Sequence, residues 1–205
     1  MEKYNFKKIY ESLKENRPEL IEALSKIKLI CLDFDGTFTD NTTTHGIKKE
    51  GEEVYEVETI TRSKIDSMAI DLLKDSGSYN KSDYESTNHE IDLIFLSKET
   101  SPVIKINAAK VKIKCTNSLE NKIGAMNEEI KKRYLQASEI LFIGNDYNDL
   151  ECIKQAGIGV AVKDSVKDVK DVADYVTWHK GGKGAFREII ELILYAKEKH
   201  PLNKI

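Results

Sequence analysis

The sequence predicts an α/β fold, a Rossmann-like parallel sheet with helices on both faces. Three observations carry the prediction. The runs 29–32, 91–96, 140–143 and 158–162 are short, rich in Ile, Leu and Val, and apolar on both sides of the pleat, as strands covered on both faces must be. Segments of helical period lie between them. The polar stretches that interrupt this alternation are too small to form a second core.

In chain order, residues 1–26 read as an N-terminal helical extension: two amphipathic pieces broken at Asn16, Arg17 and Pro18. Residues 27–205 form the main domain. Its first strand, "LICL", runs into "DFDGTFTD". Residues 42–61 hold two polar, β-branched runs around "KKEGEE", with Tyr55, Val57 and Thr59 alternating with Glu56 and Glu58, which predicts a projecting β-hairpin. Ile65, Met68, Ala69, Leu72 and Leu73 then form one helical stripe. Residues 77–89, "GSYNKSDYESTNH", are polar and aperiodic and read as a long loop. Leu119, Ile123, Met126 and Ile130 mark another helix, and a last one runs over about 185–199.

Composition removes several function classes. With 32 basic and 35 acidic residues the net charge is −3, and no basic stripe of the kind nucleic acid requires is present. No apolar run approaches the roughly 20 residues of a membrane helix. The first 26 residues are charged throughout, unlike a signal peptide. Three widely spaced cysteines, Cys31, Cys115 and Cys152, form no CxxC pair and point to a reducing, cytoplasmic compartment.

The chemistry gathers at the end of the first strand. Ligands of open α/β sheets sit at the carboxyl ends of strands, and the period of 2 turns Asp33 and Asp35 to one side. Two carboxylates so close repel unless a cation lies between them, and Mg²⁺ suits a few carboxylates, several waters and a phosphate oxygen. Gly36 frees the turn, and Thr37 and Thr39 offer hydroxyls there. An ionised aspartate is a ready nucleophile, so Asp33 can attack phosphorus. Asp35 can protonate the leaving oxygen and later deprotonate water.

These residues resemble the first motif, DxDGTxTD, of the haloacid dehalogenase-like phosphatases. The later motifs follow in order: Ser97 in "IFLSKET", Lys122 in "LENKIGAM", and Asn145, Asp146 and Asp149 in "LFIGNDYNDLECI". The resemblance implies Asp33 as nucleophile and Asp35 as acid–base. It implies Gly36, Ser97 and Lys122 around the phosphate, Asp33, Asp35, Asn145 and Asp146 around Mg²⁺, and Thr37 and Asp149 in support. "VTWHKGGKGAFREIIELIL" is similar to the GGxGAxRE signature of the capless subfamily of 3-deoxy-D-manno-octulosonate 8-phosphate phosphatases and acylneuraminate cytidylyltransferase-associated phosphatases. That resemblance covers roughly residues 27–195. It implies a phosphorylated sugar-acid substrate and a homotetramer in which the hairpin closes a neighbour's site. It also implies Gly181, Gly182 and Gly184 approaching the ligand, with Arg187 facing either a substrate carboxylate or Glu191. Asn145 stands where the family has aspartate, and Glu99 where it has arginine. These two departures keep an alternative open, a catalytically weak tetramerisation module of a cytidylyltransferase pathway.

Overall fold

The computed structural model describes residues 5–204; residues 1–4 of the expected N-terminal extension lie outside them. Helices α1 (Phe6–Asn16) and α2 (Pro18–Ser25) come first. Pro18 is the first residue of α2, a position where its missing N–H costs nothing. Strands β1 (Leu29–Leu32), β4 (Asp92–Leu96), β5 (Lys114–Thr116), β6 (Ile140–Gly144), β7 (Ile158–Ala161) and β8 (Tyr175–Val176) build a six-stranded sheet in the order β5-β4-β1-β6-β7-β8. Every pairing in it is parallel. Strands β2 (Thr39–Glu50) and β3 (Glu53–Arg62) form the antiparallel hairpin, which is longer than the sequence suggested.

Helices α3 (Lys64–Asp75), α4 (Pro102–Val111), α5 (Lys122–Lys132), α6 (Leu150–Gln155), α7 (Lys167–Val172) and α8 (Ala185–Ala196) complete the chain. Alternate residues of each strand enter different cores. Ile30, Leu32, Leu93, Phe95, Leu141 and Ile143 face a core closed by α1 to α4 and α8. Leu29, Cys31, Ile94, Leu96, Ile140 and Phe142 face the one closed by α5 to α7. Phe6, Ile9, Leu20 and Leu24 of the N-terminal helices share the first core. Residues 77–89 hold a short 3₁₀ turn, Lys81–Asp83, and Tyr79 within them is buried, its hydroxyl donating to Lys112 O at 2.7 Å.

Two features fix the active end of the sheet. β1 lies centrally between β4 and β6, so the residues after these three strands converge on one point. The loop before α8 then packs on the turn after β1. A Cβ on Gly181 would sit 1.8 Å from Gly36 O, and Gly182, at φ +60°, donates its N–H to Thr37 O at 3.0 Å. Only glycine permits that contact. Gly181 and Gly182 therefore serve the approach of two backbones, where the sequence had suggested close approach to a ligand. Buried Asp66 of α3 holds the same loop from the other side, accepting from Gly184 N at 2.9 Å and Arg187 N at 3.1 Å.

Candidate active site

Asp33 leaves β1 with extended backbone, and residues 34–38 fold into a tight turn closed by the Thr39 N–H on Phe34 O. Thr39 Oγ1 donates to the same carbonyl at 3.3 Å. Gly36 takes φ +79°, and a Cβ there would fall 2.2 Å from the Asn145 amide. The turn residue and the motif after β6 are thus in van der Waals contact, and a side chain at Gly36 would separate them.

Lys122 is the first residue of α5, whose N-cap Asn121 accepts from Gly124 N at 3.0 Å. A lysine at the positive end of a helix is electrostatically unfavourable. Here two buried carboxylates compensate. Lys122 Nζ donates to Asp33 Oδ1 at 2.5 Å and Asp149 Oδ1 at 2.8 Å, all three side chains being almost wholly buried. It also lies 3.4 Å from Asn148 Oδ1. Burial works against the ammonium, but Asp33 and Asp149 outweigh it and hold its pKa above the ordinary lysine value. Burial, then the Asp149 charge, push Asp33 up against the pull of Lys122.

Asp149 also organises the loop after β6. Its Oδ2 accepts from Asn145 N at 2.9 Å and Asp146 N at 3.3 Å. Gly144 is required beneath it, because a Cβ there would lie 2.4 Å from Asp149 Oδ2. The result aims Asn145 at β1. One terminal atom of its amide lies 3.1 Å from both Asp33 Oδ2 and the Asp35 main-chain carbonyl. With nitrogen in that place the amide donates to both oxygens. With oxygen there, three oxygens converge, and ligands held 2.0–2.1 Å from Mg²⁺ at right angles are themselves about 3 Å apart. The donor set therefore fits a magnesium ion.

The composition of this set differs from the one expected. Asp35 offers its carbonyl to the convergence point. Asp146 is exposed, its carboxylate accepting from Tyr147 N at 2.7 Å and so capping the short turn Tyr147–Asp149. Among the described residues no group of three His, Cys, Asp or Glu side chains could hold a metal. One carboxylate, one carbonyl and one amide would leave several positions to water and phosphate, which is the preference of Mg²⁺.

The remaining predicted residues sit around this centre. Ser97 follows β4 directly and is buried, its Oγ accepting from Glu99 N at 3.1 Å. Thr37 Oγ1 lies 3.4 Å from the Asn145 amide. The half-buried Asp35 carboxyl is pushed up to about 6 by burial and then by Glu99. Arg187 is engaged with Glu191 at 2.6 Å. Sequence reasoning missed Asp66, Asp164, which accepts from Gly181 N at 3.0 Å, and Glu188, which accepts from the Tyr175 hydroxyl at 2.6 Å and Trp178 N at 3.0 Å. These carboxylates hold the loop before α8, and a lone acidic residue in a helix or loop carries no sequence signal for such a task.

Several known proteins resemble this chain in sequence and fold. A 3-deoxy-D-manno-octulosonate 8-phosphate phosphatase from Haemophilus influenzae is 28% identical over 180 residues, covering 87% of this chain and 88% of the relative. The solved structure of the corresponding phosphatase from Moraxella catarrhalis, in complex with magnesium ion, phosphate ion and KDO, is 27% identical. It superposes with a TM-score of 0.72, covering 89% of this chain and 94% of the other. A subfamily III A hydrolase of the HAD superfamily from Legionella pneumophila, also 27% identical, gives 0.74 over 94% and 96% of the two chains. The family model of the haloacid dehalogenase-like hydrolases matches residues 1–189. The chain belongs to that family.

Proposed function

We propose that this protein is a Mg²⁺-dependent phosphomonoesterase acting on a 3-deoxy sugar-acid phosphate, of the nonulosonate 9-phosphate or octulosonate 8-phosphate type. The observation that carries the proposal is the convergence of Asp33 Oδ2, the Asp35 carbonyl and the Asn145 amide, while Lys122 grips the other oxygen of Asp33. The relatives named for octulosonate phosphate hydrolysis support the substrate class.

Asp33, Asp35 and Asn145 would hold the ion, which when bound neutralises phosphate charge and keeps Asp33 ionised. Asp33 attacks phosphorus, the ester P–O bond breaks, and the leaving oxygen takes its proton from Asp35. Lys122 and Ser97 bind phosphoryl oxygens, with backbone N–H groups of the turn at Gly36 beside them. Water then attacks the aspartyl-phosphate, gives its proton to Asp35 and releases phosphate. Thr37 and Asp149 keep Asn145 and Lys122 in place.

The hairpin supports assembly as a homotetramer. Ile47, Val54 and Tyr55 are 78%, 57% and 43% exposed on it, an apolar surface that a partner chain would cover. The three cysteines are free, consistent with a reducing, cytoplasmic setting.

One observation favours a second reading, the catalytically weak module of a cytidylyltransferase pathway. With its nitrogen toward β1 the Asn145 amide satisfies Asp33 and Asp35 with no metal. Hydrolysis of p-nitrophenyl phosphate and a panel of sugar-acid phosphates, with and without Mg²⁺, separates the two. The phosphatase reading expects Mg²⁺-dependent turnover that Asp33→Asn abolishes. No turnover of any phosphate would leave the module.

A further inference from the structure

Helix α1 opens on Phe6, whose ring is buried against the loop that packs on the turn after β1. The ring centroid lies 5.3 Å from that of His179, and the Arg187 guanidinium lies 5.8 Å from it. Both separations are ones at which such groups attract. His179 stands before Gly181 and Gly182 in the chain, and Arg187 after them. The N-terminal helix therefore touches the loop on either side of the glycines that meet the turn.

Glu188 fixes the other side of His179. The imidazole Nδ1 lies 2.5 Å from Glu188 Oε2, and a carboxylate only accepts, so Nδ1 carries the hydrogen. His179 N donates to the same oxygen at 3.2 Å, while Trp178 N and the Tyr175 hydroxyl donate to Oε1. Glu188 is wholly buried, and this many donors hold its carboxylate in one orientation. Further along the loop, Gly181 N is held by Asp164 and Gly182 N donates to Thr37 O. A continuous route of contacts thus runs from Phe6 through His179 and the loop main chain to the turn that follows Asp33.

We propose that Phe6 and His179 are positioning residues for phosphoryl transfer: α1 presses the imidazole onto Glu188, and the loop so held sets the place of the turn. The proposal rests on the phosphatase reading above. The turn supplies main-chain N–H groups to the phosphoryl oxygens, whose charge is redistributed during transfer. A displaced turn loses contacts realised in the transition state, so kcat falls while KM stays. The N-terminal helices then have a task in the reaction besides their share of the core.

Tryptophan fluorescence and p-nitrophenyl phosphate kinetics on the full chain with Mg²⁺ test this. Trp178 is the chain's single tryptophan; it stands beside His179 and is half exposed, so acrylamide quenching reads this loop. Phe6→Ala should raise the quenching and lower kcat about tenfold with KM unchanged, less than the roughly hundredfold of a full 1 Å displacement. His179→Ala should do the same and stands in should Phe6→Ala fail to fold. His179→Asn, whose amide N–H can replace that of Nδ1, should recover most of kcat. Leu20→Ala, which opens the same core from α2, should lower the urea midpoint and leave kcat and quenching alone. Wild-type kcat in Phe6→Ala or His179→Ala, no recovery in His179→Asn, or an equal loss in Leu20→Ala would overturn this inference alone. Absence of p-nitrophenyl phosphate hydrolysis in the wild type would overturn the phosphatase reading, and this one with it.

Discussion

Lys122 stands between two aspartates that water scarcely reaches, and its removal would leave them facing one another unneutralised. Breaking a buried charge set by deleting one member costs about 3–5 kcal/mol. Lys122→Ala is therefore expected to lose that much stability in urea unfolding, alongside its loss of turnover; an unchanged midpoint would mean the aspartates are neutralised some other way. Asn145 poses the opposite question. An amide oxygen brings no charge to a cation, so Asn145→Asp should lower the Mg²⁺ concentration for half-maximal activity, by about tenfold for one added carboxylate. Calorimetric titration of both proteins with Mg²⁺ checks this without turnover. The sequence singled out Asp33, Asp35, Gly36, Ser97, Lys122 and Asn145 because each follows a strand or opens a helix in a motif, and the sheet brings them to one end. Asp146 caps its own turn, and spacing cannot say which of three neighbouring polar groups will do so.

At the scale of elements, the sheet positions the site through contacts that backbone shape alone permits. Gly181→Ala would thrust a methyl into Gly36 O and push the turn off its place. A displacement of order 1 Å at reacting groups costs about a hundredfold in rate, and that is the expected fall in kcat. Gly46→Ala, where nothing lies within 4 Å, serves as the control and should leave kcat intact. Helix α5, which carries Lys122, is tied to the sheet by Glu129. That buried carboxylate meets Arg133, Lys132 at 2.8 Å and Lys114 at 3.4 Å, while Arg133 reaches Asp92 at the start of β4. Burial pushes Glu129 up, but Lys132, Arg133 and Lys114 together outweigh it and bring it down to about 2. A depressed carboxylate stabilises the fold above its unfolded pKa and loses that contribution as pH falls through the folded one. Glu129→Gln should therefore cost about 2 kcal/mol at pH 7, with the difference from wild type shrinking below about pH 4.5 and vanishing toward pH 2. A difference that stayed constant with pH would contradict the ionic role. The central strands were readable from unbroken apolar runs. Strands β5 and β8 were not, since "KCT" and "YV" are edge pieces too short for any periodicity. Helix α4 escaped as well, because "PVIKINAAKV" mixes its polar and apolar residues around the barrel.

For the molecule as a whole, the hairpin is the part that its own core does not explain. Its strands are exposed along almost their whole length, yet carry Ile47 and Val54 where a solvated hairpin would carry charge. Replacing both with Lys should shift the mass by light scattering toward the monomer and reduce turnover, while circular dichroism stays native. Full activity in a monomer would refute the hairpin's part in site closure. The N-terminal helices were legible, and their burial against α8 follows from their apolar stripes. The contact between the loop before α8 and the turn after β1 was not, since it joins residues over 140 positions apart through glycines that carry no pattern of their own. The central claim is that Asp33 takes the phosphoryl group covalently. Borohydride trapping during turnover with Mg²⁺, followed by peptide mass spectrometry, tests it most directly. The account predicts Asp33 reduced to homoserine, only when substrate and Mg²⁺ are both present. Phosphate release with Asp33 unmodified, or continuing in Asp33→Asn, would contradict it.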